Sequence, residues 1–330
     1  MLRSRGRTLS SAARRLPSRL VLHDVTARDG IQNERTILDV DQKVELVRRL
    51  VACRPDSVEV CSFVREDLVP AMAGARRLCE TLLSEDWAIE ARQQGVNFAG
   101  LVPNMKGYES FRQASEAGAG EGRALDTVVC LVSCTDSHSK ANVRMPLAQA
   151  LETTCGIVEQ AKKDGFRVRA YATLAFECPF EGIVNQDVVI DNVKTYLSAG
   201  GPETEIVLAD TLGTATPEHV RELVTKVLDL VPQQQLALHL HNAHGRATEN
   251  VIAAMKLGVG QFDAALGGAG GCNFVPDAKG NISTQQVIAA AEHLGVECSL
   301  DRSVVNDATA FLQLALGRQL DHDYNLPESM

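Results

Sequence analysis

Residues 205–242 read EIVLADTLGTATPEHVRELVTKVLDLVPQQQLALHLHN and hold a complete strand–helix–strand unit. The runs Glu205–Thr211 and Leu236–Asn242 are almost continuously apolar, which is typical of parallel strands covered on both faces. Between them, apolar residues recur at helical spacing over Pro217–Val231. Thr216, followed by a proline, suits the cap and first position of that helix. The segment therefore predicts a β/α/β unit in a parallel sheet.

The same alternation of strand and helix extends outward from this unit in both directions. Each candidate strand is a short apolar run, and each candidate helix carries apolar residues on one face. The eight predicted strands are Leu20–Val25, Ser57–Phe63, Val96–Val102, Thr127–Ser133, Val168–Ala175, Glu205–Thr211, Leu236–Asn242 and Gln261–Leu266. The predicted helices between strands are Asp41–Ala52, Leu147–Lys163, Gln186–Ala199, Pro217–Val231 and Arg246–Leu257. Residues 284–295 and 303–317 also carry helical patterns and extend the chain past the eighth strand.

Eight β/α units predict an α/β fold, a (β/α)8 TIM barrel with extra C-terminal helices. The alternative is an open doubly wound sheet, which usually has a glycine-rich fingerprint after its first strand. After its first predicted strand this chain instead has Val25-Thr-Ala-Arg-Asp-Gly30, which favours the barrel. The predicted organisation is a disordered or targeting segment at 1–19, a catalytic barrel at 20–295, and a helical extension with a polar tail at 296–330.

The composition of the chain argues against several classes of protein. The chain has 330 residues, of which 45% are hydrophobic, and a formal net charge of −9, so a basic nucleic-acid-binding surface is not expected. No apolar run approaches the length of a membrane span. Nine cysteines are scattered without a Cys-x-x-Cys pair, which indicates buried thiols in a reducing compartment rather than disulfides or a zinc site.

The first nineteen residues differ in composition from the rest of the chain. They contain six arginines and no acidic residue, which is typical of a mitochondrial presequence. A disordered start on a bacterial enzyme fits the same composition. The predicted compartment is the cytoplasm, with the mitochondrial matrix as the alternative if residues 1–19 are a presequence.

Polar residues at the carboxyl ends of the predicted strands are the candidates for catalysis, because TIM-barrel active sites lie there. His239 and His241 are two apart on one strand, so both side chains point to the same face. They either share a metal ion or hydrogen-bond within a polar loop, and their apolar strand favours the ion because buried polar groups need partners. The other candidates are Arg28 and Asp29 after the first strand, Glu59 in the second, Asp210 at the end of the sixth, and Cys272 and Asn281 after the eighth.

Asp29 and Asn281 would complete a site with the two histidines if the barrel brings all four side chains to one rim. One carboxylate, one amide and two imidazoles, without a thiolate, suit Mg²⁺ or Mn²⁺ better than a structural zinc ion. Open coordination positions would remain for a substrate. Arg28, beside Asp29, would either serve this site or pair with Glu34 at the surface.

Several of these motifs, taken together, resemble those of the HMG-CoA lyase family. The segment Asp24-Val-Thr-Ala-Arg-Asp-Gly-Ile-Gln-Asn-Glu34 is similar to the family's opening motif, and Leu238-His-Leu-His-Asn242 is similar to its His-x-His segment. Gly270-Gly-Cys-Asn-Phe274, followed by Gly280-Asn281, matches the family's cysteine loop and ligand asparagine in order and spacing. Further similar segments are Glu59–Val64, Val102–Tyr108, Cys178–Gly182 and Ala209–Gly213. The resemblance covers roughly residues 20–295.

The resemblance implies a divalent-metal-dependent carbon–carbon lyase that acts on an acyl-CoA thioester. A 3-hydroxy-3-methylglutaryl-CoA-type substrate would be cleaved between C2 and C3 by a retro-Claisen step, with Mg²⁺ or Mn²⁺ as the cofactor. The products would be acetyl-CoA and acetoacetate, the chemistry of leucine degradation and ketone body metabolism. The resemblance also suggests a homodimer, and we expect no nucleic-acid or membrane partner.

The resemblance also implies a role for each candidate residue. The side chains that would bind the cation are Asp29, His239, His241 and Asn281. The residues that would contact the substrate are Arg28, Ser62, Asn142, Gly270 and Gly271. Arg28 would also stabilise the enolate, since a fixed guanidinium offsets its charge. Cys272 and His239 would act in catalysis, Cys272 by proton transfer, and Glu59 and Asp210 would orient the metal site or assist the proton path.

The sequence departs from the lyase pattern on the side of the rim that would hold the substrate. His138 stands where an aromatic residue is expected, and Thr26-Ala27 replaces Gly-Pro. Asn242-Ala243-His244 follows the histidine pair where lyases commonly have Asp-Thr-Tyr. These differences leave the exact acyl group open.

Three other functions share parts of this pattern. A Claisen-type synthase of the isopropylmalate or citramalate group would share the metal site but usually carries a long C-terminal regulatory region. A biotin-linked carboxyltransferase shares the Arg-Asp-Gly motif but needs a catalytic barrel lysine, for which no strand offers a candidate. A silent paralogue that binds an acyl-CoA without turnover is disfavoured by the complete set of candidate residues.

Overall fold

The computed structural model describes residues 15–116, 122–271 and 280–326, which form a closed parallel barrel surrounded by helices. The barrel strands follow one another around the ring in chain order. They are β1 (Val21–Asp24), β2 (Ser57–Ser62), β3 (Asn97–Leu101), β4 (Thr127–Ser133), β5 (Arg167–Thr173), β6 (Glu205–Asp210), β7 (Leu236–Leu240) and β8 (Gln261–Ala264). The structure confirms every predicted strand, with ends shifted by at most two residues.

Helices cover the outside of the barrel. They are α1 (Val40–Ala52), α2 (Ala75–Ser84), α3 (Asp86–Gln93), α4 (Met105–Ser115), α5 (Asp136–Val143), α6 (Leu147–Lys163), α7 (Gln186–Gly200), α8 (Pro217–Val227), α9 (Ala247–Met255), α10 (Thr284–His293) and α11 (Arg302–Leu316). The predicted cap is confirmed, because Thr216 Oγ1 accepts a hydrogen bond from His219 N–H at the start of α8 (3.3 Å). Helices α2 to α5 were not predicted. A hairpin of Glu177–Cys178 with Gly182–Ile183 follows β5.

Closure of the barrel excludes the open-sheet alternative. Strand β1 pairs in parallel with β8, with Val21 opposite Gln261 and Asp24 opposite Ala264. A small apolar cluster that includes Leu101 fills the interior, while the opposite faces of the strands pack under the helices. Burial on both faces explains why the strands have continuous rather than alternating apolar patterns. The fold is therefore the predicted TIM barrel.

The first and last described segments of the chain pack against opposite ends of the barrel. At the base, where the strands begin, Leu20 N–H donates to Glu297 O (2.8 Å) and Glu297 N–H donates to Ser18 O (3.3 Å). At the rim, where the strands end, Asp321 N–H donates to Gly267 O (3.0 Å). The boundaries drawn at residues 19 and 295 stay predictions. Among the described residues, no helix combines the length and the apolar character needed to cross a membrane.

Candidate metal centre and active site

A widened turn directly after β1 positions two of the candidate residues, Arg28 and Asp29. Thr26–Gly30 forms one turn of π-helix, in which Gly30 N–H donates to the carbonyl oxygen of Val25 (3.0 Å). Such turns are rare and frequently occur at functional sites. Here the turn lies at the carboxyl end of β1, so both side chains reach the mouth of the barrel.

Two carboxylates hold Arg28 in place. Its Nε and Nη2 donate to the two oxygens of Glu59 (2.8 and 3.0 Å), and its Nη1 donates to Asp29 Oδ1 (2.5 Å). Bidentate pairing fixes the plane of the guanidinium. Burial raises the pKa of Glu59, although the Arg28 charge opposes this shift. The alternative prediction, an ion pair of Arg28 with Glu34 at the surface, is wrong, because Glu34 instead accepts hydrogen bonds from Arg318.

The two candidate imidazoles meet at one point beside Asp29. His239 lies in β7 and His241 follows its end, and both are buried. Their Nε2 atoms are 3.1 Å apart. Asp29 Oδ2 lies 3.9 Å from His239 Nε2 and 3.7 Å from His241 Nε2. One potential ligand atom from each of the three residues therefore lies within 4.8 Å of the others, which is an arrangement that can hold a metal ion.

Asn281 reaches the same point from the other end of the chain. It forms an isolated antiparallel bridge with His241, and its Nδ2 donates to Asp29 Oδ2 (2.8 Å) and Ala269 O (3.1 Å). Its Oδ1 is buried and accepts no hydrogen bond from the described residues. Buried acceptors normally have a partner, so this oxygen is suited to an additional ligand.

The charge and donor atoms of this cluster fit a divalent cation. Burial alone would raise the pKa of Asp29, but Arg28 and the two imidazoles hold that pKa well below its usual range. The carboxylate is therefore charged at neutral pH. One carboxylate, two imidazoles and one amide oxygen form a mixed donor set of the kind that binds hard or borderline divalent ions.

Two glycines make room for Asn281. Gly270 has a φ of +109°, and a Cβ at this position would lie 2.8 Å from Asn281 Nδ2. A Cβ at Gly280 would lie 2.4 Å from the backbone of Gly270. The backbone of Gly270, which was predicted to contact substrate, therefore packs directly against the candidate metal centre.

A cavity of about 160 Å³ lies over the cluster at the rim. Arg28, Asp29 and the two histidines form one wall. Residues on the other walls include Leu131, His138, Asn142, Thr173, Thr211 and Gly271. Asn142 and Gly271, two of the predicted substrate-binding residues, thus lie in one cavity with the candidate metal centre. His138 is buried, and its Nδ1 lies 3.2 Å from Ser133 Oγ.

The remaining predicted residues lie around this cavity or outside the described chain. Ser62 ends β2, is buried, and its hydroxyl has no hydrogen-bond partner among the described residues. Asp210 ends β6, and its carboxylate accepts hydrogen bonds from the backbone N–H groups of Thr214 and Ala215 (3.1 and 3.0 Å). Burial raises the pKa of Asp210 to about 6. Cys272 lies outside the described residues.

A buried charged cluster beneath the histidines was missed in the sequence. Asp263 on β8 accepts hydrogen bonds from Arg169 Nη2 (2.8 Å) and Tyr171 O–H (2.5 Å), and it lies 3.0 Å from His239 Nδ1. The available signal was a carboxylate in the middle of the apolar run Gln261–Leu266. A charge in such a strand needs buried partners.

An eight-stranded α/β barrel with a buried His–His–Asp cluster beside a fixed arginine at its rim defines a TIM-barrel enzyme with a candidate metal centre. The family model described as HMGL-like matches residues 19–312. This chain belongs to that family, the HMG-CoA lyase family of enzymes, as the resemblance of its motifs predicted.

Individual relatives are similar in sequence to nearly the whole of this chain. The (R)-citramalyl-CoA lyase of Chloroflexus aurantiacus is 36% identical over 299 residues, which cover 90% of this chain and 91% of the relative. The 3-hydroxy-3-isohexenylglutaryl-CoA/hydroxymethylglutaryl-CoA lyase of Pseudomonas aeruginosa is 31% identical, covering 92% and 95%. A solved structure of an HMG-CoA lyase from Acinetobacter baumannii, in complex with coenzyme A and 3-methylmalate, superposes with a TM-score of 0.81 at 32% identity, covering 92% and 93%.

Proposed function

We propose that this chain is a divalent-metal-dependent carbon–carbon lyase that cleaves a 3-hydroxy-3-methyl acyl-CoA thioester between C2 and C3. The observation that carries the proposal is the meeting of Asp29, His239, His241 and Asn281 next to a guanidinium. Arg28 Nη1 lies only 2.5 Å from Asp29 Oδ1. A cation and a fixed positive charge would thus act on one bound substrate.

Asp29, His239, His241 and Asn281 would hold the cation, which we propose to be Mg²⁺ or Mn²⁺ because this set contains oxygen and imidazole donors without a thiolate. When bound, the cation would supply Lewis-acid polarisation of the substrate hydroxyl and so lower the pKa of that hydroxyl. The unpartnered Oδ1 of Asn281 supports its place in this set.

Arg28 would supply positive charge where negative charge develops. When the C2–C3 bond breaks, its electron pair passes to C2 and the thioester oxygen as an enolate. The carbon that carried the hydroxyl becomes a carbonyl, and the hydroxyl proton passes to a basic group of the site or to water. A guanidinium that Glu59 and Asp29 hold in position needs little reorganisation to stabilise that enolate. Protonation of C2 then completes acetyl-CoA, and we propose Cys272 for this proton transfer.

Two closely similar substrates are the candidates for the acyl group. HMG-CoA would give acetyl-CoA and acetoacetate. Citramalyl-CoA has one methylene fewer between C3 and its carboxylate and would give acetyl-CoA and pyruvate; the 36% identity to the Chloroflexus citramalyl-CoA lyase favours it. Enzymes discriminate a single methylene by only about 10- to 200-fold, so both substrates are to be compared by kcat/KM.

The cavity favours a short acid over one with a long alkyl branch. Its volume is about 160 Å³, and its walls include the polar side chains of His138, Asn142, Thr173 and Thr211. A long apolar branch, such as the isohexenyl group in the name of the Pseudomonas relative, would place apolar surface against these polar walls. We also propose that the substrate contacts Ser62, Asn142, Gly270 and Gly271. The protein is proposed to be a homodimer, located in the cytoplasm or in the mitochondrial matrix.

Product identification tests the proposal directly. The purified protein, supplied with Mg²⁺ or Mn²⁺, is incubated separately with HMG-CoA and citramalyl-CoA, and the products are identified by mass. We expect acetyl-CoA together with acetoacetate or pyruvate. Release of acetyl-CoA from neither thioester would contradict the lyase function. Faster condensation of acetyl-CoA with a 2-oxo acid would support a synthase instead, and tight thioester binding without turnover would support a silent paralogue.

A further inference from the structure

We propose that Asp263 is a positioning residue that fixes the ring orientation and the tautomer of His239. In this role it leaves the lone pair of His239 on Nε2, the nitrogen that faces the candidate metal centre. The inference rests on the proposed function only for the identity of the ligand that this nitrogen would meet.

The hydrogen bonds of Asp263 determine the direction of the contact with His239. Arg169 Nη2 donates to Asp263 Oδ1 (2.8 Å), and Tyr171 O–H donates to Oδ2 (2.5 Å). The side chain of Asp263 is completely buried beside the Arg169 guanidinium. A carboxylate in this position can only accept hydrogen bonds. The proton in its 3.0 Å contact with His239 therefore lies on Nδ1 of the imidazole.

This tautomer matters because of what lies on the other side of the ring. His239 Nε2 is 3.1 Å from His241 Nε2 and 3.9 Å from Asp29 Oδ2. A proton on His239 Nε2 would occupy the space in which a shared cation has to sit. A carboxylate that holds the distal ring nitrogen fixes both tautomer and ring orientation in histidine metal sites.

Neighbouring strands hold Asp263 itself in place. Arg169 also donates through Nε to Glu205 Oε1 (2.6 Å) and through Nη1 to the Tyr171 hydroxyl (3.0 Å). The Tyr171 ring meets the His239 ring edge to face, with centroids 5.9 Å apart. The carboxylate is thus held directly by side chains of β5 and β7, while Glu205 on β6 holds Arg169, and it cannot rotate away without breaking the buried pair with Arg169.

The substitution Asp263→Asn tests the inference with little change of shape. The new amide nitrogen can donate to His239 Nδ1, which favours the tautomer with the proton on Nε2. We expect the affinity for Mn²⁺, measured by electron paramagnetic resonance titration, to fall by about 10- to 100-fold. The matched control is Ser57→Ala, which removes a buried hydrogen bond to His23 at the base of the barrel (2.8 Å). Its Mn²⁺ affinity should stay within about twofold of the wild type.

A second measurement determines the tautomer of His239 in the wild-type protein. It tests the inference even if Asp263→Asn does not fold. Nitrogen-15 spectra of histidine-labelled, metal-free wild-type protein report the tautomer, and His239→Gln identifies the signal. We expect the proton on Nδ1. A proton on Nε2, or wild-type Mn²⁺ affinity in Asp263→Asn, would overturn the inference. Absence of Mn²⁺ binding by the wild type would instead contradict the proposed function, and the tautomer measurement would still judge the role of Asp263.

Discussion

The two ends of the barrel interior both contain buried histidines, but within the described part of the chain the histidines at the rim lie beside a buried acceptor without a protein partner, Asn281 Oδ1. At the base, His23 Nδ1 lies 2.8 Å from Ser57 Oγ and His23 Nε2 lies 3.3 Å from Gln261 Oε1. At the rim, the Nε2 atoms of His239 and His241 face each other instead.

The difference separates a structural polar cluster from a binding site. Burial lowers the pKa of His23, so this imidazole is neutral near pH 7, and its two hydrogen bonds satisfy it within the protein. At the rim, Asn281 Oδ1 is left without a partner among the described residues. An unsatisfied buried group costs about 1–3 kcal/mol, so a ligand bound to Asn281 Oδ1 would stabilise the rim cluster, whereas the base cluster has no such unsatisfied acceptor among its named contacts. Each of the next three predictions compares a residue at the rim with a matched residue elsewhere.

The largest effect is expected for Arg28→Gln at the rim. Loss of the guanidinium should lower kcat/KM by about 1,000-fold, because donors that stabilise developing negative charge contribute on this scale. The fold and the Mn²⁺ affinity should be retained. Arg167→Gln is the control at the base, where Arg167 is exposed and donates to Asn97 Oδ1 (2.8 Å). Steady-state kinetics that show equal activity in both variants would remove Arg28 from the proposed mechanism.

A smaller effect, on Mn²⁺ affinity, is expected when one histidine at each end of the barrel is replaced. His241→Gln should weaken Mn²⁺ binding by about 100-fold, since it removes one of the few protein ligands. His23→Gln should leave Mn²⁺ binding unchanged and cost about 1–2 kcal/mol of unfolding free energy through a lost buried hydrogen bond. Calorimetric Mn²⁺ titration and urea unfolding separate the two outcomes. Equal loss of metal affinity in both variants would contradict the assignment of metal binding to the rim cluster alone.

A tenfold loss of Mn²⁺ affinity is expected when one methyl group is added at Gly270. In Gly270→Ala the new Cβ would lie 2.8 Å from Asn281 Nδ2, so the asparagine must shift. Gly295→Ala is the control, because Gly295 also has a positive φ, of +69°, but its Cβ position has no neighbour within 4 Å among the described residues. Both variants should lose about 1–2 kcal/mol of stability from the left-handed backbone. Only Gly270→Ala should lose Mn²⁺ affinity, by about tenfold; equal affinities would show that Asn281 is not in the metal centre.

The smallest effect on activity is expected for Asp24, a buried carboxyl group outside both histidine clusters. Burial raises its pKa to about 7, although its Oδ1 accepts a hydrogen bond from Thr26 N–H (2.8 Å). Because the folded-state pKa is raised, the stability from this group is fully present below the unfolded-state pKa of roughly 4 and is lost as the pH rises through 7.

Asp24→Asn should therefore remove a decline in the unfolding free energy between pH 4 and pH 7. Relative to the wild type, the variant should gain on the order of 3 kcal/mol of stability over this range. Urea unfolding at a series of pH values measures the difference. A constant difference across the range would show that Asp24 does not titrate with a raised pKa.

The sequence predicted the eight strands because each is an apolar run that helices cover on the outside. Helix α5 (Asp136–Val143) was missed because its sequence, DSHSKANV, is short and lacks an apolar face. The turn Thr26–Gly30 was also beyond prediction, since its π-helical hydrogen bond depends on the surrounding barrel. The local pattern thus fixes where strands lie but not the geometry of the loops between them.

The candidate site was predictable to the extent that it lies at strand ends. Closure of the barrel brings residues 29, 239, 241 and 281 together, although their positions span 252 residues. Asp263 was not predicted because the run Gln261–Leu266 was interpreted as an apolar strand, and its partner Arg169 lies 94 residues away. Which inward-facing charges pair across a barrel depends on register, and a single sequence does not contain the register.

The location of a bound cation tests the central claim most directly. Crystals of the wild-type protein grown with Mn²⁺ are measured by anomalous diffraction at a wavelength where manganese scatters strongly. We predict one strong peak within about 2.5 Å of a carboxylate oxygen of Asp29 and of Nε2 of both His239 and His241. A manganese peak elsewhere in the protein, with none between these three side chains, would contradict the account.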